Sequence, residues 1–182
     1  EDNSGTLKYV AVKQAGKTLG NGDELNGITL AGVGSQTELD YIHVHENLDD
    51  GVEFFGGTAN ISHLVLTNIG DDSLDWSFGW TGKAQYVLIK QADSTGDNAI
   101  EADNSEFDSS ATPLTMPTIS NVTIIGNGFA STYFQNRNIK TVRFKNSFLT
   151  KNMSALKTVF TNKSYLYNKF LTSEFLCRIQ KD

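Results

Sequence analysis

Leu39-Asp-Tyr-Ile42-His-Val44 is answered twenty-two residues later by Ile61-Ser-His-Leu64-Val-Leu66, and between them lies Asp50-Gly-Val52-Glu-Phe54. The two outer segments carry apolar residues at their first, fourth and sixth positions. The inner one alternates apolar and polar, as a half-buried strand does. Both patterns recur. The first returns as Leu7-Lys-Tyr-Val10-Ala-Val12, Ala84-Gln-Tyr-Val87-Leu-Ile89 and Ile119-Ser-Asn-Val122-Thr-Ile124. The second returns as Asn26-Gly-Ile28-Thr-Leu30, Asp72-Ser-Leu74-Asp-Trp76 and Asn98-Ala-Ile100-Glu-Ala102. Successive starts of the first family differ by 32, 22, 23 and 35 residues, and the long intervals hold polar insertions near 17–24 and 103–118.

Two strand families alternating at a period near 22 residues, separated by glycine and Asx turns, describe the coils of a right-handed parallel β-helix over residues 1–128. The class is all-β. The rival is a leucine-rich-repeat-like solenoid, because Leu39-x-x-Ile42-x-Val44-x-x-Asn47 and Ile119-x-x-Val122-x-Ile124-x-x-Asn127 fit that spacing. Its asparagine position is Ala15, Ile69 and Ala92 in the other coils, and the rest of each coil reads as strand rather than helix.

Composition agrees with a folded domain. The chain has 182 residues, 38% hydrophobic and 20% charged, with 16 glycines and 2 prolines. No apolar run is long enough for a transmembrane segment. The opening at Glu1-Asp2-Asn3 reads as a mature fragment or an excised domain. Cys177 is the only cysteine, so an internal disulfide is excluded.

The net charge of −6 hides a division near Gly128. Residues 1–128 carry −14 and all the glycines, and residues 129–182 carry +8. The basic segment 129–182 is expected to cap the solenoid or to meet the acidic surface of another copy in head-to-tail self-association, with one further coil at 139–144. No recognition module accompanies its charge, so nucleic acid is not an expected partner.

The run Asn47-Leu-Asp-Asp-Gly-Val-Glu-Phe-Phe-Gly-Gly57, followed by Gly70-Asp-Asp-Ser-Leu-Asp-Trp76, resembles bacterial secreted or lipid-anchored proteins with pectate-lyase-like β-helix repeats. The resemblance covers about residues 5–128. It implies an extracellular or bacterial cell-surface location and says little of activity, since this architecture hosts lyases, hydrolases, adhesins and structural proteins alike.

In a solenoid, equivalent residues stack about 4.8 Å apart. Aligning the short strands puts Ile28, Val52, Leu74 and Ile100 in one inward column, and Leu30, Phe54, Trp76 and Ala102 in the next. The outward column between them is Thr29, Glu53, Asp75 and Glu101. The preceding turns add Asp49, Asp50, Asp71, Asp72 and Asp97.

Carboxylates one strand apart repel by roughly 3 kcal/mol per pair at an effective dielectric near 20. A cation, a shared proton or splaying into solvent relieves that repulsion. Calcium suits the first remedy, because it takes many hard oxygen ligands in flexible geometry. The second suits acid–base chemistry on a sugar, with Glu53, Asp75 and Glu101 as catalytic candidates in a glycoside hydrolase. A lyase needs a base in addition, and residues 25–82 contain no Lys or Arg. In the third case, the turn aspartates cap turns and the strand acids are solvated.

Tyr9, Tyr41, His63, Tyr86 and Asn121 form a further column, read as stacked rings that stabilise the coils. His43 and His45 read as surface histidines, because lysines share their column. Phe55, and Trp80 in its glycine-bounded loop, are the candidate carbohydrate contacts; the alternative for Trp80 is to fold down over the core. The expected function is a non-enzymatic surface β-helix for adhesion, glycan binding or self-assembly. A carbohydrate-active enzyme is the alternative.

Overall fold

A computed structural model describes residues 2–126, save 106 and 109, together with the strands 132–137, 143–145 and 148–150. The described residues form strands and turns, without helix. Long strands β1 (Thr6–Lys13), β3 (Glu38–His45), β5 (Asn60–Thr67), β7 (Lys83–Lys90) and β9 (Thr118–Ile125) make one parallel sheet. Short strands β2 (Ile28–Ala31), β4 (Val52–Phe55), β6 (Leu74–Ser77) and β8 (Asn98–Asp103) make the other. The chain alternates between the two sheets and pairs each strand with its equivalent one coil on. It is a right-handed parallel β-helix.

The register matches the expected columns: Val52 pairs with Leu74, Glu53 with Asp75 and Phe54 with Trp76. One narrow core runs down the axis. Phe54, Trp76, Leu74 and Ile100 from the short strands meet Ile42, Leu64, Leu66 and Ile89 from the long ones, all at 1% exposure or less.

The first–fourth–sixth apolar spacing that imitated a leucine-rich repeat has a backbone cause. The fourth residue of every one of these long strands is left-handed: Tyr9 (φ 57°), Tyr41 (52°), His63 (48°), Tyr86 (57°) and Asn121 (53°). Side chains alternate strictly along a strand, so an interval of three between inward residues requires one residue that breaks the alternation. The left-handed residue does so, and the ladder skips it: Lys8 pairs with Asp40 and Val10 with Ile42. Each long strand is thus two short ones joined at a one-residue corner.

Aromatic residues are unusual at such a corner, where the left-handed conformation costs roughly 1–2 kcal/mol. Stacking offsets this. Tyr9 and Tyr41 lie 4.9 Å apart and 7° from parallel, Tyr41 and His63 4.4 Å and 3°, and His63 and Tyr86 5.0 Å and 19°. Asp40 steadies the stack by accepting hydrogen bonds from His63 Nδ1 and Ser62 Oγ, both at 2.8 Å.

Beyond Gly126 the strand pattern continues. β10 (Thr132–Arg137) extends the short-strand sheet beside β8, while β11 (Arg143–Lys145) and β12 (Phe148–Thr150) pair with β9. The further coil expected at 139–144 is out of phase with this. Phe144, not Ile139, pairs with Ile119; Ile139 lies only 20 residues beyond Ile119, short of the 22 and 23 of the regular coils, whereas Phe144 lies 25 beyond. Residues 138–142, and the cap or assembly role of 129–182 outside these strands, lie beyond the described residues.

Candidate metal centre

The turn into each short strand presents an Asx residue in one column: Asn26, Asp50, Asp72 and Asn98. Backbone bonds tie the turns together, from Gly27 N to Asp50 O (2.8 Å), Gly51 N to Asp72 O (2.9 Å) and Ser73 N to Asn98 O (3.1 Å). The side chains add a second tie. Asp50 Oδ1 accepts from Asp72 N (3.0 Å), and Asp72 Oδ1 accepts from Asn98 N (2.6 Å). The turn aspartates therefore cap, but they cap the backbone of the next coil rather than their own turn.

Amides hold the acids at the ends of the column. Asn26 Nδ2 donates to Glu53 Oε2 at 2.5 Å, and Asn98 Nδ2 donates to Asp97 Oδ2 at 3.2 Å and to Glu101 Oε2 at 3.4 Å. In the two central coils that amide is replaced by the carboxyls of Asp50 and Asp72, where neighbouring acids crowd most.

The strand acids are not splayed into solvent. Glu53 is 9% exposed, Glu101 8%, Asp50 6% and Asp72 4%. Three overlapping triples bring oxygen atoms within 4.8 Å of one another: Asp49–Asp50–Asp71, Asp50–Glu53–Asp75 and Asp71–Asp72–Asp97. Seven of the eight acids singled out by sequence thus converge. Glu101 joins through Asp72, to which it is hydrogen-bonded.

Burial, then the neighbouring charges of Glu53 and Asp49, pushes Asp50 up to about 8. Asp75 is raised by burial and by Asp50 and Glu53. Asp72 is raised by burial, by its hydrogen bond to Glu101 and by Asp50. Glu53 is also raised by burial, although the bonds it accepts from Asn26 and Asp75 work the other way. The hydrogen bonds of Asp75 with Glu53 and of Asp72 with Glu101 each need a proton on one partner. None of the ion pairs among the described residues involves Asp49, Asp50, Glu53, Asp71, Asp72 or Asp75.

Trp80 corrects the expectation of an exposed carbohydrate contact. It is wholly buried, stacks on Phe54 at 4.1 Å, and donates its indole N–H to Ala59 O at 3.0 Å. The loop folds down because Gly82 lies where any Cβ would collide with Ala59 O and the indole nitrogen. Phe55 is half-buried on the same outward side as Glu53, and pairs loosely with Phe78, whose ring is 6.1 Å away. Phe78, not among the residues expected to contact a ligand, is 45% exposed with φ 48°. Its place between Trp76 and Gly79 was the available signal. His43 Nε2 and His45 Nδ1 share the Thr67 hydroxyl at 2.9 and 2.8 Å. Burial, with His45 and Lys13 nearby, lowers the His43 pKa; Glu46 Oε1 lies 3.4 Å from His45 Nε2, but among the described residues these side chains do not form a group that could hold a metal.

Two parallel sheets whose strands each pair with the equivalent strand one coil on, with a ladder of acids along the short-strand turns, define a parallel β-helix protein. A family model described as the pectate-lyase like beta helix domain matches residues 1–174, and the chain belongs to that family. No curated protein and no solved structure matches it.

Proposed function

We propose that this chain is a non-enzymatic β-helix module of the extracellular space or bacterial cell surface, whose short-strand face binds divalent cations, calcium first. The observation that carries the reading is the three overlapping carboxylate triples, two of which share Asp50 and two of which share Asp71. Without a cation the cluster stays folded only by taking up protons. A carboxyl whose folded pKa is raised contributes stability that is present at low pH and lost as pH rises through the folded value, near 8 for Asp50. A calcium ion replaces the protons, and its six to eight oxygen ligands are supplied by both carboxyl columns with water.

The module's wider work is adhesion, glycan binding or head-to-tail assembly. Phe55 and Phe78 beside the acids offer a contact surface for polysaccharide. A second reading is a carbohydrate-active enzyme with Glu53 and Asp75 as its acidic pair. Their carboxyls are hydrogen-bonded to each other, closer than the roughly 5 Å or more at which the two carboxyls of a glycoside hydrolase flank the bond, so the cation reading is preferred.

Thermal unfolding after chelation, with and without added calcium at pH 7.5, tests the proposal. A calcium-dependent rise in midpoint is expected, together with no cleavage across a polysaccharide panel. Turnover that disappears in Glu53→Gln or Asp75→Asn, with no calcium effect on the midpoint, would establish the enzyme instead.

A further inference from the structure

The long strands end in a second polar column, Gln14, Glu46, Asn68 and Gln91, one residue per coil. The first three are left-handed, with φ of 51°, 56° and 56°, and Gln14 Nε2 donates to Glu46 Oε2 at 3.0 Å. An open groove of about 670 Å³ runs beside them across four coils, roughly 14 Å from the first strand to the fourth. Part of its floor is bare backbone. A Cβ on Gly16 would come within 2.7 Å of Leu48 N, and one on Gly70 would collide with Leu48 O. No residue of the carboxylate triples lines the groove.

Three amide atoms in its lining have no partner. Gln91 is 4% exposed, yet neither its Oε1 nor its Nε2 makes a hydrogen bond, and Asn47 Oδ1 at 2% exposure makes none either. Buried polar atoms left so are uncommon and costly. The backbone, by contrast, is satisfied: Gln14 N, Glu46 N, Asn68 N and Gln91 N donate to His45 O, Thr67 O, Lys90 O and Ile125 O at 2.9–3.0 Å. An extended peptide therefore finds no open ladder to join. A ligand must be read by side-chain amides, each offering a donor beside an acceptor.

We propose that this groove binds a neutral oligosaccharide, with Gln91, Asn68 and Gln14 hydrogen-bonding its hydroxyls. Hydroxyls donate and accept at one atom, and so match amide head groups. Leu48, 51% exposed, supplies an apolar strip for a sugar's C–H face. The charge of Lys90 is countered by Glu46 and Asp93 in the same lining, and the −14 of residues 1–128 repels a polyanion. Gln91 has no side-chain hydrogen bond to break, so its amide rotates toward the ligand at little cost. The inference rests on the binding-module reading and is independent of the cation.

The test is a titration of the full, ¹⁵N-labelled chain with cello-, xylo-, manno- and maltotetraose, and with tetragalacturonate as the anionic control, in chelator. At least one neutral tetraose is expected to bind and to shift the side-chain amide signals of Gln91, Asn68 and Gln14. Asn68→Gly, which removes the amide and tolerates the left-handed φ of 56°, is expected to weaken that binding about tenfold at a little-changed unfolding midpoint. Gln91→Met is expected to abolish binding while raising the midpoint, an outcome that a purely structural glutamine does not produce. Binding that instead moves Phe55 and Phe78 overturns the groove and leaves the binding module standing. Binding of tetragalacturonate alone overturns the neutral ligand, and no binding by any saccharide overturns the groove and the glycan reading together.

Discussion

Replacing Asp50 by Asn isolates the electrostatic load of the ladder, because the same column already carries Asn at positions 26 and 98. The amide oxygen still accepts from Asp72 N, as Asp50 Oδ1 does at 3.0 Å. The new amide N–H₂ faces Glu53 and Asp75, as Asn26 faces Glu53. What disappears is a carboxyl whose pKa moves from 3.8 to about 8 on folding. A shift of that size corresponds to about 6 kcal/mol, an upper bound that relaxation and water entry reduce. A gain of about 2 kcal/mol, within the usual span of single substitutions, raises the unfolding midpoint by roughly 4–8 °C in a chain of this length.

The pH dependence gives the sign. The wild-type penalty is absent below the unfolded pKa and grows until pH reaches the folded value. The gap between Asp50→Asn and wild type, measured by calorimetry in chelator, is therefore expected to be small at pH 4 and largest near pH 8. Added calcium should reverse the order, because Asp50 belongs to two of the three triples. A gap that does not change with pH, or a variant less stable than wild type at pH 8 in chelator, refutes the reasoning.

Trp80→Ala empties the space beside Phe54 and leaves Ala59 O without its donor, and urea denaturation is expected to register a loss of about 3–5 kcal/mol. Tyr41→Val puts a β-branched residue at φ 52° and removes two ring contacts, so it should cost more than Tyr41→Asn, which tolerates the left-handed corner. Equal losses in the two variants would refute the corner account. Burial raises the Asp40 pKa, but the hydrogen bonds from His63 and Ser62 outweigh it and the net shift is downward. Its contribution is thus present above the unfolded carboxylate pKa and lost as pH falls through the folded one. Asp40→Asn is expected to flatten the acid limb of a pH–stability profile and leave the alkaline limb unchanged.

The columns of the β-helix were legible because strand parity and a near-constant coil length place Val52 over Leu74 and Glu53 over Asp75 without further information. The corner at Tyr9, Tyr41, His63 and Tyr86 was legible only as a column. Its left-handed backbone runs against the preference of aromatic residues, and stacking between coils, a non-local interaction, overrides that preference. Membership of the acid ladder followed from spacing, whereas its burial did not, since what shields Glu53 and Glu101 is set by the neighbouring coils and turns. Trp80 was misplaced because a glycine-bounded loop reads the same whether it folds outward or down. The decisive contact, indole to Ala59 O, joins residues 21 apart. Past Gly126 the phase slipped because the apolar spacing of Ile139, Val142 and Phe144 imitates a coil start that the register places at Phe144.

The central claim is that the acids of the short-strand face share cations. A crystal structure of the full chain grown in calcium near pH 7.5, with anomalous scattering measured to locate the ion, tests it most directly. A peak is expected, bounded by Asp50, Glu53 and Asp75, or by the adjoining triple of Asp49, Asp50 and Asp71, with six to eight oxygens at about 2.3–2.6 Å. Carboxyls that keep their proton-shared pairing at millimolar calcium, with no peak among them, would contradict it.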